Sequence, residues 1–352
     1  MLYNYLSELT SLDFTRIIGI EAIIVCLAVF GLTVLATRLI LPVLRAKKLN
    51  QPINMYVTEH AGKAGTPTMG GICFIIATLI VAIVWLILEK CGVLGENDNK
   101  ALIPFALTLC LGVCNGLIGF IDDYKKLVKK DNEGLSEIQK LMLQIVVASA
   151  YLCVMGVTHN LPTALEIPFV NYAIELGWVA YPIYLLVIVG FVNSTNITDG
   201  IDGLASSVGT MSAIMLIVIA VITGSRYTGI ASAMLLGSLL GFLVFNHYPA
   251  KVFMGDTGSL FIGGIIMGCA VSDGQLLTVI IVSFVFIFEM FSSLWQRIYF
   301  KLTKGKRFFK KAPVHHHFQL LGWSEVKIVA FFSAVAVILG AIGALGVVIK
   351  LG

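Results

Sequence analysis

Residues 101–130 read ALIPFALTLCLGVCNGLIGFIDDYKKLVKK. From Ala101 to Ile121 no residue is charged, and about 20 apolar residues are what a helix needs to cross a bilayer. Asp122 and Asp123 then arrive together, followed by Lys125, Lys126, Lys129 and Lys130. The same alternation of apolar run and charged connection continues in both directions. Runs fall at 17–41, 70–89, 101–121, 139–157, 179–194, 204–223, 228–245, 259–272, 275–300 and 326–350. The expected fold is therefore an all-α polytopic membrane protein with about ten transmembrane helices, one membrane-embedded domain over residues 1–352.

Composition agrees. Of 352 residues, 58% are hydrophobic and 12% charged, where soluble domains carry about 25% charged residues. A soluble globular domain is excluded, and so is a disordered chain. Net charge +4 is too small for a basic-faced nucleic-acid binder, so no nucleic-acid partner is expected. The first residues lack the basic start and cleavage site of a signal peptide, so the first span is expected to stay. The seven cysteines, without a CxxC pair, read as small buried hydrophobes.

Only Arg16, Lys90, Lys100, Arg226 and Lys350 of the 24 Lys and Arg fall in one alternating set of connections. The other set, 42–69, 122–138, 195–203, 246–258 and 301–325 with the adjoining span ends, holds the remainder and is expected to face the cytoplasm. Ten spans then put both termini on the extracytoplasmic side. Almost every notable polar residue lies in the basic connections, which places a candidate active site on the cytoplasmic face. On the opposite side, 164–176 suggests a small hairpin.

Five polar runs carry the chemistry. Asp122-Asp123 ends an apolar helix, where acid opposes the macrodipole; beside lysines the pair suits a divalent cation or a base. Asn193, Asn196, Asp199 and Asp202 recur every third residue, but Gly200 and Gly203 argue for a loop or a helix start. The plain reading makes Asp202 an N-cap, which explains one residue of four. In Asn246–Ser259, Gly-Asp-Thr-Gly-Ser leads into an apolar helix, either as a capped turn or to offer Asp256 to a metal while backbone N–H groups meet phosphate. Phe253 is either an interfacial anchor or a stacking platform for a base. His315-His316-His317 point in different directions, so all three rarely bind one metal, and with Arg307, Lys310 and Lys311 upstream the triplet suits an anion better. Residues 60–71 hold Gly and Lys without P-loop order. Together these suit a divalent metal and a diphosphate.

These motifs resemble the polyprenyl-phosphate N-acetylhexosamine-1-phosphate transferases. The carrying residues are 65–71 (GTPTMGG), Asp122-Asp123, 196–205 (NITDGIDGLA), 253–259 (FMGDTGS) and 313–318 (PVHHHF), spanning about residues 40–330. The histidine triplet points to the branch using UDP-N-acetylmuramoyl-pentapeptide. The resemblance implies transfer of phospho-N-acetylmuramoyl-pentapeptide from UDP to undecaprenyl phosphate, giving lipid I and UMP in peptidoglycan synthesis. It implies Mg2+ as cofactor, with Asp256 as metal ligand. Asp122 is implied as the base toward the lipid phosphate, with Asp123 beside it. Asn193, Asn196, Asp199 and Asp202 would line the nucleotide-sugar site; Phe253 would stack on uracil. Lys63, Thr68, Asn246 and Gln296 are similar to residues on the nucleoside side, and His315, His316 and His317 would engage phosphate or sugar. A bacterial plasma-membrane location, surrounding membrane lipid and a homodimer are also implied. Direct attack by the lipid phosphate is preferred over a covalent aspartyl intermediate. The rivals are a sister enzyme using UDP-N-acetylglucosamine, a transporter and a membrane scaffold. Glu289, an acid inside the ninth run, has no assigned role.

Overall fold

A computed structural model of the chain describes residues 14–46, 65–94, 99–129 and 134–351. It is mostly helical. In chain order the helices are α1 (Phe14–Ala46), α2 (Gly71–Lys90), α3 (Asn99–Lys129), α4 (Glu137–Val157), α5 (Ala180–Thr198), α6 (Leu204–Thr223), α7 (Arg226–Asn246), α8 (Gly255–Ser272), α9 (Leu276–Val282), α10 (Phe284–Leu302), α11 (Val314–Leu320) and α12 (Glu325–Leu351). Strands β1 (Ala164–Ile167) and β2 (Tyr172–Glu175) form the hairpin between α4 and α5, antiparallel with Ala164 opposite Glu175.

Among the described residues nine helices are long and apolar enough to span a membrane, and ten if α9 and α10 count as one. These two differ from the expected continuous run at 275–300: they meet at Ser283 with a bend of 77°. Neither Gly nor Pro marks the break. Apolar composition reports that a segment can face lipid, not the direction it takes, so the bend is invisible to hydropathy.

Helix α8 is the axis of the bundle. Inside the protein lies 83% of its apolar window, against 22% for α1. Its widest contact is with α3, and it also packs on α5, α2 and α7. Association within lipid has no hydrophobic term to draw on, because lipid tails are as apolar as leucine; small residues that allow close approach take over. A Cβ on Gly264 would lie 2.7 Å from Gly112 Cα, and one on Gly268 2.7 Å from Thr108. Any larger residue would push α3 off α8. At the end remote from Asp122, Arg226 of α7 bridges Glu21 of α1 at 2.7 Å and Glu89 of α2 at 2.8 Å. Three charges that would each be costly alone are thereby paired.

Two expectations fail. The seven cysteines are all free, but Cys91, Cys110 and Cys153 are exposed rather than buried; in a bilayer an apolar position need not be an interior one. The carboxylate pair does not end its helix either. α3 runs on to Lys129, and Lys126 reaches back one turn to Asp122 at 2.7 Å, the i,i+4 pairing that supports a helix.

Candidate active site

Helices α3, α5 and α7 end, and α4, α6 and α8 begin, at one end of the bundle, and that alternation gathers the polar runs there. α3 contributes Asp122, Asp123 and Lys126; α4 contributes Lys140 in its first turn; α5 contributes Asn196 near its last; α8 contributes Asp256 in its first. Asp122, Asp123 and Asp256 each bring a carboxylate oxygen within 4.8 Å of the others.

The three acids are not equivalent. Asp123 is buried and receives the N-terminus of α8: the N–H groups of Asp256 (3.2 Å) and Thr257 (3.0 Å) and the Thr257 hydroxyl (2.7 Å) all donate to it. The macrodipole that an acid would oppose at the end of its own helix here favours it, because the terminus it meets is the positive end of another helix. Those two N–H groups are consequently taken by protein, so of the two readings of this turn the phosphate-binding one does not draw on them. Gly255 makes the turn possible. Its φ is +69°, and a Cβ there would lie 2.5 Å from Asp123 Oδ2, so a side chain would meet both strain and collision. Close contact continues next to it, where a Cβ on Gly119 would be 2.2 Å from the Asp256 carbonyl oxygen and one on Gly71 2.3 Å from the Gly258 nitrogen.

Asp256 is held from three sides. Lys140 donates to its Oδ2 at 2.7 Å, Lys126 to the same oxygen at 3.1 Å, and Asn196 Nδ2 to its Oδ1 at 2.8 Å. Asn196 also donates to Ser259 at 2.9 Å and accepts from Lys140 at 3.2 Å. Asp122 accepts the Leu135 N–H at 2.6 Å besides its Lys126 partner. Lys140 and Lys126 went unassigned in the sequence. Lys126 had a signal, its i,i+4 spacing from Asp122; Lys140, in a different helix, had none.

The other expected residues form separate groups. Asn193, one turn before Asn196, pairs with Gln144 of α4 at 2.6 Å. Asp199 closes α5, and Asp202 lies buried in the following turn. Asp202 accepts the Ala250 N–H at 2.9 Å, and its own N–H donates to Glu325 at 3.0 Å. It is not the N-cap of α6, a position held by Gly203. Asn246 is buried, accepting from Ser206 at 2.8 Å and donating to the Val252 carbonyl at 3.0 Å; both ends of its amide hold the loop before α8. Phe253 is half-buried. Its backbone is clamped by the 65–71 segment, with Phe253 N–H on Pro67 oxygen at 2.9 Å and Gly70 N–H on Phe253 oxygen at 2.8 Å. Thr68 is buried beside Gly255. Lys63 lies outside the described residues.

The three histidines diverge, as adjacency requires. His315 Nδ1 meets Glu289 at 2.9 Å, His316 Nδ1 meets Gln319 at 2.7 Å, and His317 Nδ1 accepts the Lys310 N–H at 3.1 Å. Gln296 accepts from Phe308 and Phe309 N–H and donates to the Phe309 carbonyl, so its amide is used on the loop leading to the histidines.

The chain is similar to known proteins over most of its length. Residues 105–274 match the model for glycosyl transferase family 4, and residues 63–75 match phospho-N-acetylmuramoyl-pentapeptide-transferase signature 1. A phospho-N-acetylmuramoyl-pentapeptide-transferase of Staphylococcus aureus strain bovine RF122 / ET3-1 is 41% identical over 316 residues, 89% of this chain and 95% of the relative. Those of strains JH9 and Newman show the same identity and coverage.

Proposed function

The chain belongs to the phospho-N-acetylmuramoyl-pentapeptide-transferase family of enzymes, and from that premise we propose that it moves phospho-N-acetylmuramoyl-pentapeptide from UDP to undecaprenyl phosphate at the α3–α8 cluster. The products are lipid I and UMP. The observation that carries the reading is the convergence of Asp122, Asp123 and Asp256 within 4.8 Å beside Lys126 and Lys140.

Three carboxylates against two ammonium groups leave a formal charge of −1. That sign repels a diphosphate and attracts a divalent cation. Hard carboxylate oxygens on two facing helices fit magnesium, which keeps positions open for phosphate oxygens. Asp256 would hold the ion, with Asp122 and Asp123 within reach. Bound magnesium supplies neutralisation of charge on the phosphates.

The protein's own groups then do the following. Asp122 takes the proton of the lipid phosphate. The freed oxygen attacks the sugar-bearing phosphorus of the nucleotide; a new P–O bond forms as the bond to the bridging oxygen of UMP breaks, and UMP leaves. Lys126 and Lys140 turn from Asp256 toward phosphate oxygens. Asp123 holds the start of α8, and hence Asp256, in place. Asn193, Asn196, Asp199 and Asp202 line the sugar side; Phe253 stacks on uracil; Lys63 and Thr68 serve the nucleoside side directly, Asn246 and Gln296 through the loops their amides hold; His315, His316 and His317 engage phosphate or sugar, with the buried His315 acting through the Asp199–Asp202 turn. The excess of Lys and Arg in the connections at this end supports a cytoplasm-facing site in a bacterial plasma membrane, with both termini outside. The enzyme works as a homodimer of one membrane domain per chain.

The test is UMP release by purified protein in detergent with magnesium and undecaprenyl phosphate, comparing UDP-N-acetylmuramoyl-pentapeptide with UDP-N-acetylglucosamine. Release with the first alone, abolished by EDTA, is expected. Release with the second would transfer the histidines out of sugar selection. Release of UMP without lipid phosphate would overturn direct attack.

A further inference from the structure

Glu289 lies in α10 with a fully buried side chain. It hydrogen-bonds His315 Nδ1 at 2.9 Å. A carboxylate accepts, so this contact places the ring proton on Nδ1 and fixes the tautomer. Of the seven buried side-chain atoms without a hydrogen-bond partner among the described residues, two belong to this pair: Glu289 Oε1 and His315 Nε2. The second is aimed at the turn between Asp199 and Asp202. A Cβ built on Gly200 would stand 2.2 Å from it, so glycine is what lets the ring reach that turn.

Neighbouring groups on α10 serve the same segment. Ser292 accepts the Val314 N–H at 3.0 Å, and Gln296 accepts the Phe308 and Phe309 N–H groups at 3.2 and 3.0 Å. Glu289, Ser292 and Gln296 stand at i, i+3 and i+7, one face of a helix. That face lies against the histidine segment. Stability is a poor account of Glu289 itself. A buried carboxyl with one lone hydrogen bond is costly, and replacing both members of such a pair by apolar residues is commonly neutral or stabilising, whereas removing one strands the other.

We propose that Glu289 is a positioning residue for the proposed transfer reaction: it orients His315 and fixes its tautomer so that the buried ring backs the Asp199–Asp202 turn and holds that turn in the shape the sugar side of the site needs. The inference rests on the site assigned above. The analogous outer contacts of histidine ligands elsewhere are worth about 10–100-fold.

A double-mutant cycle on turnover tests it, using Glu289→Leu, Glu289→Gln, His315→Gln and Glu289→Leu/His315→Gln, with apparent Tm measured on each. Glu289→Leu should lose about 100-fold in kcat and some apparent Tm as well, because the buried Nδ1–H is stranded, whereas Glu289→Gln should keep the wild-type Tm. The double variant should be no worse than the worse single, because both changes remove one function. Glu289→Gln should recover about tenfold over Glu289→Leu, since its amide oxygen still accepts the Nδ1 proton. Multiplying losses, or loss of Tm in parallel with activity in every Glu289 variant, would overturn the proposal. Histidine 15N NMR of the intact protein reads the tautomer without substrate, His315 being assigned by difference from His315→Gln. A protonated Nδ1 in the wild type that becomes mixed in Glu289→Leu supports the positioning step even if no UMP is released. A tautomer unchanged in Glu289→Leu refutes it whatever the reaction proves to be.

Discussion

Replacing Asp123 by alanine separates the two adjacent carboxylates most clearly. Asp123 accepts three hydrogen bonds from the first turn of α8, two from backbone N–H groups and one from the Thr257 hydroxyl. A hydrogen bond to a charged group contributes roughly 1.5–3 kcal/mol net. Lys126 beside it is about a third exposed, so water can re-solvate part of what is lost, and the low end applies. Three such bonds give a destabilisation of about 4 kcal/mol, the stranded N–H groups included. In a chain of this length that is a fall in apparent Tm of roughly 5–10 °C, read by thermal aggregation or intrinsic fluorescence in detergent. Asp122→Ala removes one backbone hydrogen bond and a partly exposed ion pair, so its Tm should fall by no more than about 3 °C although turnover is lost. Equal Tm for wild type and Asp123→Ala would refute the assignment of Asp123 to the α8 terminus. An equal fall for both variants would refute the distinction between them.

Other outcomes follow from the same geometry. Asp256→Asn keeps the shape and the Asn196 neighbour but removes the charge that holds two lysines and would hold the proposed cation; turnover should fall by at least about 1000-fold, with magnesium-dependent protection from heating lost as well. Gly200→Ala inserts a Cβ 2.2 Å from His315 Nε2 and should cut kcat by about 100-fold or more, with undiminished activity counting against contact between that turn and the histidine. Phe253→Ala should raise the KM for the nucleotide sugar by about tenfold while leaving the KM for lipid phosphate alone, in keeping with about 1–3 kcal/mol for base stacking. Asp273, at the far end of α8, is pushed up to about 7 chiefly by burial, against the lowering effect of Thr228 and Ser225 hydrogen bonds. A folded pKa above the unfolded one means that stability falls as pH rises from about 4 through 7; Asp273→Asn should therefore gain apparent Tm over wild type at pH 8 and show little gain at pH 5.

What the sequence makes legible is what one-dimensional pattern encodes. Span positions follow from apolar runs, and the gathering of polar residues at one end follows from strict alternation of connections. The hairpin at 164–176 was readable from its short apolar segments. Partnerships across helices were not readable. Asp123 looks like an acid at the wrong end of a helix until α8 is placed against it, and its true partner lies 134 residues away. Lys140 looks like an interfacial lysine until α4 folds beside α8. Asp202 has the type and position of an N-cap, yet tertiary contacts with Ala250 and Glu325 outcompete that local role. The bend at Ser283 leaves no local trace at all, and neither does the pairing of Glu289 with His315, 26 residues on.

Labelling the sugar-bearing phosphorus of UDP-N-acetylmuramoyl-pentapeptide with 32P tests the central claim most directly. With magnesium and undecaprenyl phosphate, the label should pass into the butanol-extractable lipid product as unlabelled UMP is released in equal amount, and Asp256→Asn should transfer none. Label appearing as free phosphate or sugar phosphate in the aqueous phase, or an Asp256→Asn enzyme that forms labelled lipid at the wild-type rate, would contradict transfer at the Asp122–Asp123–Asp256 cluster.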